Sequence, residues 1–432
     1  MKGNKKNKLI WRRLDNSAKI FPMSAGKKYS TVFRLSVILK EEIQPETLQK
    51  AVEKTLEEYQ FFKVRMKAGF FWYYLEHNTK SPIIEEEKDY PCKYIDPKTN
   101  KGYLFKVTYF KNKINIDIFH ALTDGNTGTT FFREIVYNYL ELIHKDELNQ
   151  QNRQTRKIEY DTEDSYMKNY DKKAKSNASG KIAYELKGRK IKLGAISVIH
   201  QIIDLEQLKE ECKKYDATIT QYLTAVLMYS IYNENYVKYN GKKPIKICIP
   251  VNLKKYFPSK TILNFFSYIT LVGEMKKQKL DTFEKMIQFV KQEFKMRLTE
   301  EEIIKTMSAN VKLGNHFLIK PVPLLLKKIL VRISYILIRK YTTITYSNIG
   351  RIGIIGDYKK YIDYFLMLIA PEPVEKIKCS SCTFENKVVF TFTSILNNNQ
   401  IEKAFYQFLT ERGIEVKIES NGVLDDISAE IK

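Results

Sequence analysis

Alternation of apolar and polar positions is sharpest between Leu104 and Phe119. Two β-rich runs, Leu104 to Phe110 and Ile114 to Phe119, flank Lys111-Asn112-Lys113. In the second, Ile114, Ile116 and Ile118 alternate with Asn115 and Asp117, which predicts a hairpin. Upstream, Thr31 to Leu39 predicts an apolar strand and Phe70 to Leu75 an aromatic one. Between them Pro45 opens a helix to about Tyr59, with Leu48, Val52 and Leu56 on one face. A further helix runs from about Thr127 to Ile143. In the second half the pattern predicts strands near Ile196 to Ile202 and at Ile245 to Pro250, Phe265 to Leu271, Tyr341 to Ser347 and Phe384 to Phe392. Helices are predicted at Leu205 to Tyr215, Ile219 to Tyr232, Phe283 to Leu298 and Leu324 to Lys340. Both halves mix strands with helices, as in a pseudo-duplicated α/β protein.

A polar stretch separates them. From His144 to about Lys192 Asn, Gln, Lys, Asp and Ser dominate, the composition of an interdomain linker. The expected division is an N-terminal lobe over 1–150, a polar linker over 151–192 and a C-terminal lobe over 193–432. A chain of 432 residues is too long for one ordinary core, so two domains are the default.

Charge adds partners to consider. With 73 Lys and Arg against 50 Asp and Glu the net charge is +23, which attracts nucleic acid, acidic lipid, a phosphorylated cofactor or an acidic carrier protein. The excess is mostly Lys, beside abundant Asn, Ile and Tyr, and an AT-rich codon composition accounts for it equally well. The clusters Lys172 to Lys175 and Lys2 to Lys8 read as solubilising, and no nucleic-acid partner is expected. No secretory signal is visible near Met1, and no apolar run is long enough to span a bilayer. Five scattered cysteines (Cys92, Cys212, Cys248, Cys379 and Cys382) fit a reducing cytoplasm, the expected location. Cys379 and Cys382 form a CxxC ahead of the apparent strand Phe384 to Phe392. No second pair or nearby His completes a zinc tetrahedron, so no metal is expected.

The chemistry concentrates in Ile116-Asp117-Ile118-Phe119-His120-Ala121-Leu122-Thr123-Asp124-Gly125. An alternating strand ends at a His and a helix begins just after Asp124-Gly125. Histidine titrates nearest neutrality, and a helix N-terminus close by disfavours the imidazolium, so His120 suits a general base. Asp124 is placed to cap the helix or bind a distant Arg, and Gly125 to take a backbone conformation other residues avoid.

The segment His120-Ala121-Leu122-Thr123-Asp124-Gly125 resembles the HxxxDG motif of the superfamily of chloramphenicol acetyltransferase, condensation domains and alcohol acetyltransferases. Further stretches look like its bacterial alcohol acetyltransferase-like members. They are Trp11-Arg12-Arg13-Leu14-Asp15 through Pro22, Phe71-Trp72-Tyr73-Tyr74-Leu75-Glu76, and Pro250-Val251-Asn252-Leu253 followed by Phe257 to Thr261 and Asn264-Phe265-Phe266. Ser347-Asn348-Ile349-Gly350 is similar to the SNxG strand end of condensation domains. The plant DFGWG signature is absent.

The resemblance implies two similar mixed α/β lobes with an active-site tunnel between them, acyl-CoA as co-substrate, and His120 as the base that deprotonates an acceptor alcohol. It gives Asp124 a structural role through an Arg partner, with Arg13 and Arg34 as candidates. Asn264, Ser267 and Asn348 are the oxyanion or substrate candidates, each also readable as a turn or cap residue. Condensation domains commonly carry two adjacent histidines, and Phe119 stands at the first position here, which favours simple acyl transfer. The alternatives are a condensation-type amide synthase using carrier-protein thioesters, and a catalytically silent binding protein of the same fold.

One element points to a lipid partner. On Leu324 to Lys340, the residues Lys328, Arg332, Tyr335 and Arg339 share a polar face, and Leu326, Ile329, Leu330, Ile333 and Leu337 form an apolar arc opposite. The expectation is a helix packed by its apolar arc on the second domain with its basic face in water. The alternative is an interfacial helix in peripheral contact with anionic membrane, where lipid acceptors are found.

Overall fold

The structure, a computed structural model, describes residues 11–148, 161–174, 180–192, 194–314 and 321–424. The long strands, in chain order, are β1 (Val32–Leu39), β2 (Phe105–Phe110), β3 (Lys113–Phe119), β4 (Ser197–Asp204), β5 (Ile245–Asn252), β6 (Phe266–Gly273), β7 (Ile344–Arg351), β8 (Ile362–Ile369), β9 (Ile377–Phe384) and β10 (Lys387–Ser394). Three helices bear on function: α1 (Phe21–Ser24), α2 (Gly125–Ile143) and α3 (Leu324–Arg339). One sheet has the order β8-β1-β3-β2 with the short strand Ile84–Glu86 at its edge. The other runs β6-β5-β7-β9-β10-β4 and ends on Val416–Ser420. A third, small sheet pairs Trp11–Arg13, Tyr73–His77 and Val64–Ala68, so the described residues are mixed α/β with two large sheets, one small one and two main apolar cores.

The halves interlock. β8 comes from the second half of the chain but pairs antiparallel with β1, putting Phe365 opposite Val37 in the first sheet. β2 and β3 form the expected hairpin, turning at Lys111, whose φ of 51° suits a tight hairpin turn. The polar residues alternating along β3 do not face water: Asn115 and Asp117 are both buried. Arg34 is the direct cross-strand neighbour of Asp117 and grips it bidentately, with Nε to Oδ1 at 2.9 Å and Nη2 to Oδ2 at 2.6 Å, while also pairing with Glu87. Burial opposes the Arg34 charge, but these carboxylates outweigh it and hold its pKa above the usual value.

Two readings are corrected here. Cys379 and Cys382 do not precede a strand; they lie within β9, and the hairpin to β10 turns at Glu385, φ 45°. Three residues apart on a strand, they point to opposite faces, Cys379 into the second-half core and Cys382 into the first. The second correction is α3, which packs the other way round. Much of its polar side lies against the protein, with Arg332 alone of the four polar-face residues exposed. The adjoining Lys327 is buried with its Nζ donating to Phe71 O at 3.0 Å and lying 3.5 Å from the Trp72 ring centre. Tyr335 donates to Glu372 Oε1 at 2.9 Å, and Arg339 Nε lies 3.0 Å from Glu372 Oε2. The apolar arc faces out, from Leu337 at 51% exposed to Leu325 at 80%. The cause is electrostatic: Glu372 and Glu375 are buried, and buried carboxylates require cations, which Arg339 and Lys378 supply.

Truncating Asp117 to Ala leaves the Arg34 guanidinium buried beside only Glu87. We expect Asp117→Ala to lose about 3–5 kcal/mol of unfolding free energy, read by denaturant melts; a loss within 1 kcal/mol (about a factor of five in the folding equilibrium) would show that the pair is dispensable.

Candidate active site

His120 is the first residue off β3. Its backbone N–H donates to Thr31 O at 3.0 Å, and Leu122 N–H closes a turn onto Phe119 O at 2.9 Å. Thr31 itself is β-branched and sits at φ 51°, a strained position directly beside the base candidate. After the turn, Asp124 caps α2: its Oδ1 accepts from Thr127 N–H at 2.9 Å.

The second half of the chain closes on this loop through Ile262 to Phe266. Thr123 Oγ1 donates to Ile262 O at 2.8 Å, and Phe265 N–H donates to Asp124 Oδ2 at 3.2 Å. Asn264 carries the decisive contact. Its Nδ2 donates to His120 O at 3.1 Å and to Asp15 Oδ2 at 3.0 Å. With both amide hydrogens committed to acceptors, the orientation of the amide is set, and Oδ1 is the atom 3.0 Å from His120 Nδ1. An amide oxygen only accepts, so Nδ1 carries the hydrogen and Nε2 the lone pair. That is the tautomer of a base acting through Nε2.

Asp15 underpins Asn264. Buried, it accepts from Asn264 N–H at 3.2 Å as well as from the side chain, and from Ala18 N–H at 2.7 Å. Burial still dominates and pushes its pKa up to about 6. Burial likewise holds His120 below its usual pKa, against the charge of Asp124, its own carbonyl and the Asn264 bond, while Lys378 adds to the lowering. Three aromatic rings supply that environment: Phe21 of α1 stacks on the imidazole at 4.7 Å, with Phe266 at 5.1 Å and Phe33 edge-on at 5.2 Å. The ring is neutral by desolvation and oriented by one hydrogen bond.

The other candidates are placed elsewhere. Asn264 spends its donors behind the ring, which leaves none for an oxyanion. Ser267 lies on β6 beside Phe266, and strand alternation turns it to the face of Ile269 and Leu271, in the second-half core, away from His120. Its Oγ has no hydrogen-bond partner among the described residues. Asn348 donates to Thr220 Oγ1 at 2.9 Å and accepts from Gly350 N–H at 2.7 Å, the bonds of a turn residue. Its neighbour Ile349 does reach the motif, 3.6 Å from where a Cβ on Gly125 would stand. Gly125 begins α2 with a φ open to any residue, so the special conformation expected of it is not used. The tight glycine is Gly128, one turn on, where a Cβ would meet Ile118 at 3.0 Å and Phe33 at 3.1 Å. Asp124 is held by two backbone N–H groups; Arg34 is engaged with Asp117 and Glu87, and Arg13 is exposed.

Sequence reasoning passed over Asp15 and Tyr166. Asp15 stands in the quoted stretch Trp11 to Asp15, but nothing local shows that its partner lies at Asn264. Tyr166, in the polar stretch, is buried, and its hydroxyl donates to Phe266 O at 2.8 Å and accepts from Phe266 N–H at 3.0 Å. Nothing local marks it out from Tyr160 and Tyr170 in the same polar stretch. Of the other histidines, His200 bonds Thr391 Oγ1 at 2.9 Å with its pKa pushed down by burial to about 4, and His144 stacks on Tyr361 at 3.8 Å. His316 lies outside the described residues. Among the described residues no three His, Cys, Asp or Glu side chains converge as metal ligands.

The fold and part of the sequence are similar to those of known proteins. Residues 166–350 match the family model for alcohol acetyltransferase. None of the curated proteins compared matches the chain. Among solved structures, F. graminearum TRI101 complexed with coenzyme A and deoxynivalenol is similar at a TM-score of 0.61 and 12% identity, over 94% of this chain and 99% of that one. TRI3 trichothecene 15-O-acetyltransferase from Fusarium sporotrichioides is similar at 0.58 and 9%, over 92% and 94%. The starter condensation domain of rhizomide synthetase RzmA, with C8-CoA, is similar at 0.56 and 10%, over 93% and 94%. At such identities the structures show the fold. The chain therefore has the fold of these acetyltransferases and condensation domains, and its residues 166–350 match the alcohol acetyltransferase family model.

Proposed function

We propose that the protein transfers an acyl group from acyl-CoA to an alcohol, with His120 Nε2 as the general base. The observation that carries this reading is the Asn264 bond to Nδ1, which leaves a neutral, oriented imidazole with its lone pair on the far nitrogen. The superfamily supplies the reaction class, and the similar structures holding CoA or C8-CoA support the donor. In the step, the acceptor hydroxyl gives its proton to Nε2 as its oxygen bonds to the thioester carbonyl carbon. The tetrahedral intermediate then collapses, the C–S bond breaks, and the imidazolium returns the proton to the departing CoA sulfur. The products are an ester and free CoA thiol. Asn264 and Asp15 act as positioning residues, steadying the ring and the developing positive charge on it.

Release of free thiol from acetyl-CoA with a panel of alcohols is the direct test. We expect His120→Ala and the larger His120→Gln to lower the rate by about 10²–10⁴-fold. His120→Gln keeps side-chain volume among the three rings, so its melting temperature should stay near wild type. Turnover within a few-fold of wild type in either variant would remove His120 as the base.

Asp124→Ala should behave differently from the His120 changes. It deletes a helix cap and also strands the Phe265 N–H, so we expect a loss of about 1–3 kcal/mol in stability together with reduced turnover. Thermal melts decide it: a variant that melts like wild type would place Asp124 in chemistry alone.

The pH profile tests the support behind the ring. Asp15, with a pKa of about 6, loses its charge as pH falls through that value, and the protonated acid faces only donors, from Asn264 and Ala18. His120 protonates below its usual 6.5 and loses its lone pair. Both changes remove activity in the same direction, so kcat/KM should be flat above neutrality and fall on the acid side with a slope steeper than one proton. Asp15→Asn should lower the plateau and reduce that limb to one proton. An unchanged limb in Asp15→Asn would exclude Asp15 as a positioning residue behind the ring. For stability the sign is opposite: a carboxyl whose folded pKa is raised stabilises below its unfolded value near 3.8, and that contribution is lost as pH rises through about 6.

A further inference from the structure

We propose that the outward face of α3, together with the Phe70-Phe71 turn beside it, is a docking surface for an anionic lipid bilayer. Leu325, Leu326, Ile329, Leu330, Ile333 and Leu337 lie on one side of a single helix, and every one is more than half exposed. Contiguous apolar surface of this kind marks an interaction site. The Phe70 side chain is 73% exposed and Phe71 42%. The turn that carries them abuts the start of α3, because Leu324 N–H donates to Phe70 O at 2.9 Å. The polar side of the helix is occupied by Phe71 O, Trp72 and Glu372, so the apolar side is the one it presents.

Charge identifies the occupant. From Ile303 to Gly356 the chain contains no Asp or Glu, while Lys328, Arg332 and Lys340 lie on or beside the helix, Arg332 and Lys340 exposed. The whole protein carries +23. A second copy seated on this face would set two strongly cationic bodies together, with no carboxylate on α3 to answer the partner's cations. An anionic bilayer supplies both halves of the match: acyl chains for the leucines and isoleucines, and headgroup charge for the basic residues at the rim. A helix of 16 residues is about 24 Å long, and it would lie along the bilayer plane. Among the described residues no helix is long and apolar enough to cross it.

The face also adjoins the proposed site. α1 packs between α3 and the base: Tyr29, just after it, meets Tyr335 of α3 edge-on at 5.7 Å, and Phe21 within it stacks on His120. A bilayer on the outer face of α3 is therefore separated from the imidazole only by α3 and α1, which suits an acceptor alcohol dissolved in lipid. That last step rests on the reading of His120 as base; the docking does not.

The test is co-sedimentation of the full chain with vesicles of phosphatidylcholine, alone or mixed with phosphatidylglycerol. We expect most of the protein to pellet with the mixed vesicles at low salt, and the bound fraction to fall several-fold at high salt or with phosphatidylcholine alone. The double variant Leu326→Glu/Ile333→Glu, on fully outward positions, should melt like wild type and lose the binding. Equal, negligible pelleting with both vesicle types at low salt would overturn the proposal, as would a double variant that binds like wild type. So would a wild-type dimer, seen by light scattering, that the double variant converts to monomer without any vesicle binding. Thiol release with a water-soluble alcohol separates the two readings: its absence in both proteins counts against the acyl-transfer function and leaves the docking result standing.

Discussion

A single side chain, Asn264, joins the three parts of the molecule on which the site depends. It reaches Asp15 near the start of the chain, His120 at the end of β3, and belongs itself to the segment that leads into β6. Each bond constrains the others. The buried Asp15 carboxylate needs donors, and the Asn264 amide provides two N–H groups for it, one from the backbone and one from the side chain. Because Nδ2 is thereby committed, Oδ1 turns to the imidazole, and the tautomer follows. Removing Asp15 would leave the His120 carbonyl as the one acceptor holding Nδ2, and so weaken the hold on the amide that keeps Oδ1 turned to Nδ1.

That junction is why the fold divides as it does. Two lobes that only touched would let a hydrogen bond of 3.0 Å between His120 and Asn264 open and close with their relative motion. Here the seam is fastened on both sides. β8 crosses over to complete the first sheet, and Tyr166 pins both backbone groups of Phe266. Thr123 and Asp124 add bonds of their own to Ile262 and Phe265. Net energies of single hydrogen bonds are only about 0.5–1.5 kcal/mol, so their number matters less than their placement: they hold a neutral imidazole where a charged one would be desolvated.

Much of this was legible in the sequence, and the limits have physical causes. Period-two patterning placed β3 and its hairpin, an apolar run placed β1, and the strand-to-helix junction drew attention to His120 and Asp124, because these signals are local. The stretch Asn264-Phe265-Phe266 was marked by resemblance, with Asn264 and Ser267 as oxyanion, substrate or turn candidates, but only the fold shows that Asn264 bonds Nδ1 of the ring and that Ser267 faces the second-half core. Arg34 was weighed as a partner for Asp124; cross-strand register instead sets it against Asp117, a pairing that depends on which strands meet. Asp15 and Tyr166 carry no local signal at all. Their roles exist through residues a hundred or more positions away.

The orientation of α3 shows the same limit from the other side. Amphipathic periodicity identifies two faces but not which one is turned inward, and the usual rule assigns the apolar face to the core. The rule assumes that the core offers apolar surface at that place. Here it offers Glu372 and Glu375, both buried, with Lys378 alone unable to neutralise two carboxylates. Leaving such a charge unpaired costs about 3–5 kcal/mol, and the apolar arc turned inward here would meet carboxylates rather than apolar surface. Arg339 is therefore drawn in, Tyr335 with it, and the helix rotates its apolar arc outward. A carboxylate pair beneath the helix thus determines what the protein shows at its surface, and the apolar stripe follows from electrostatics inside the fold.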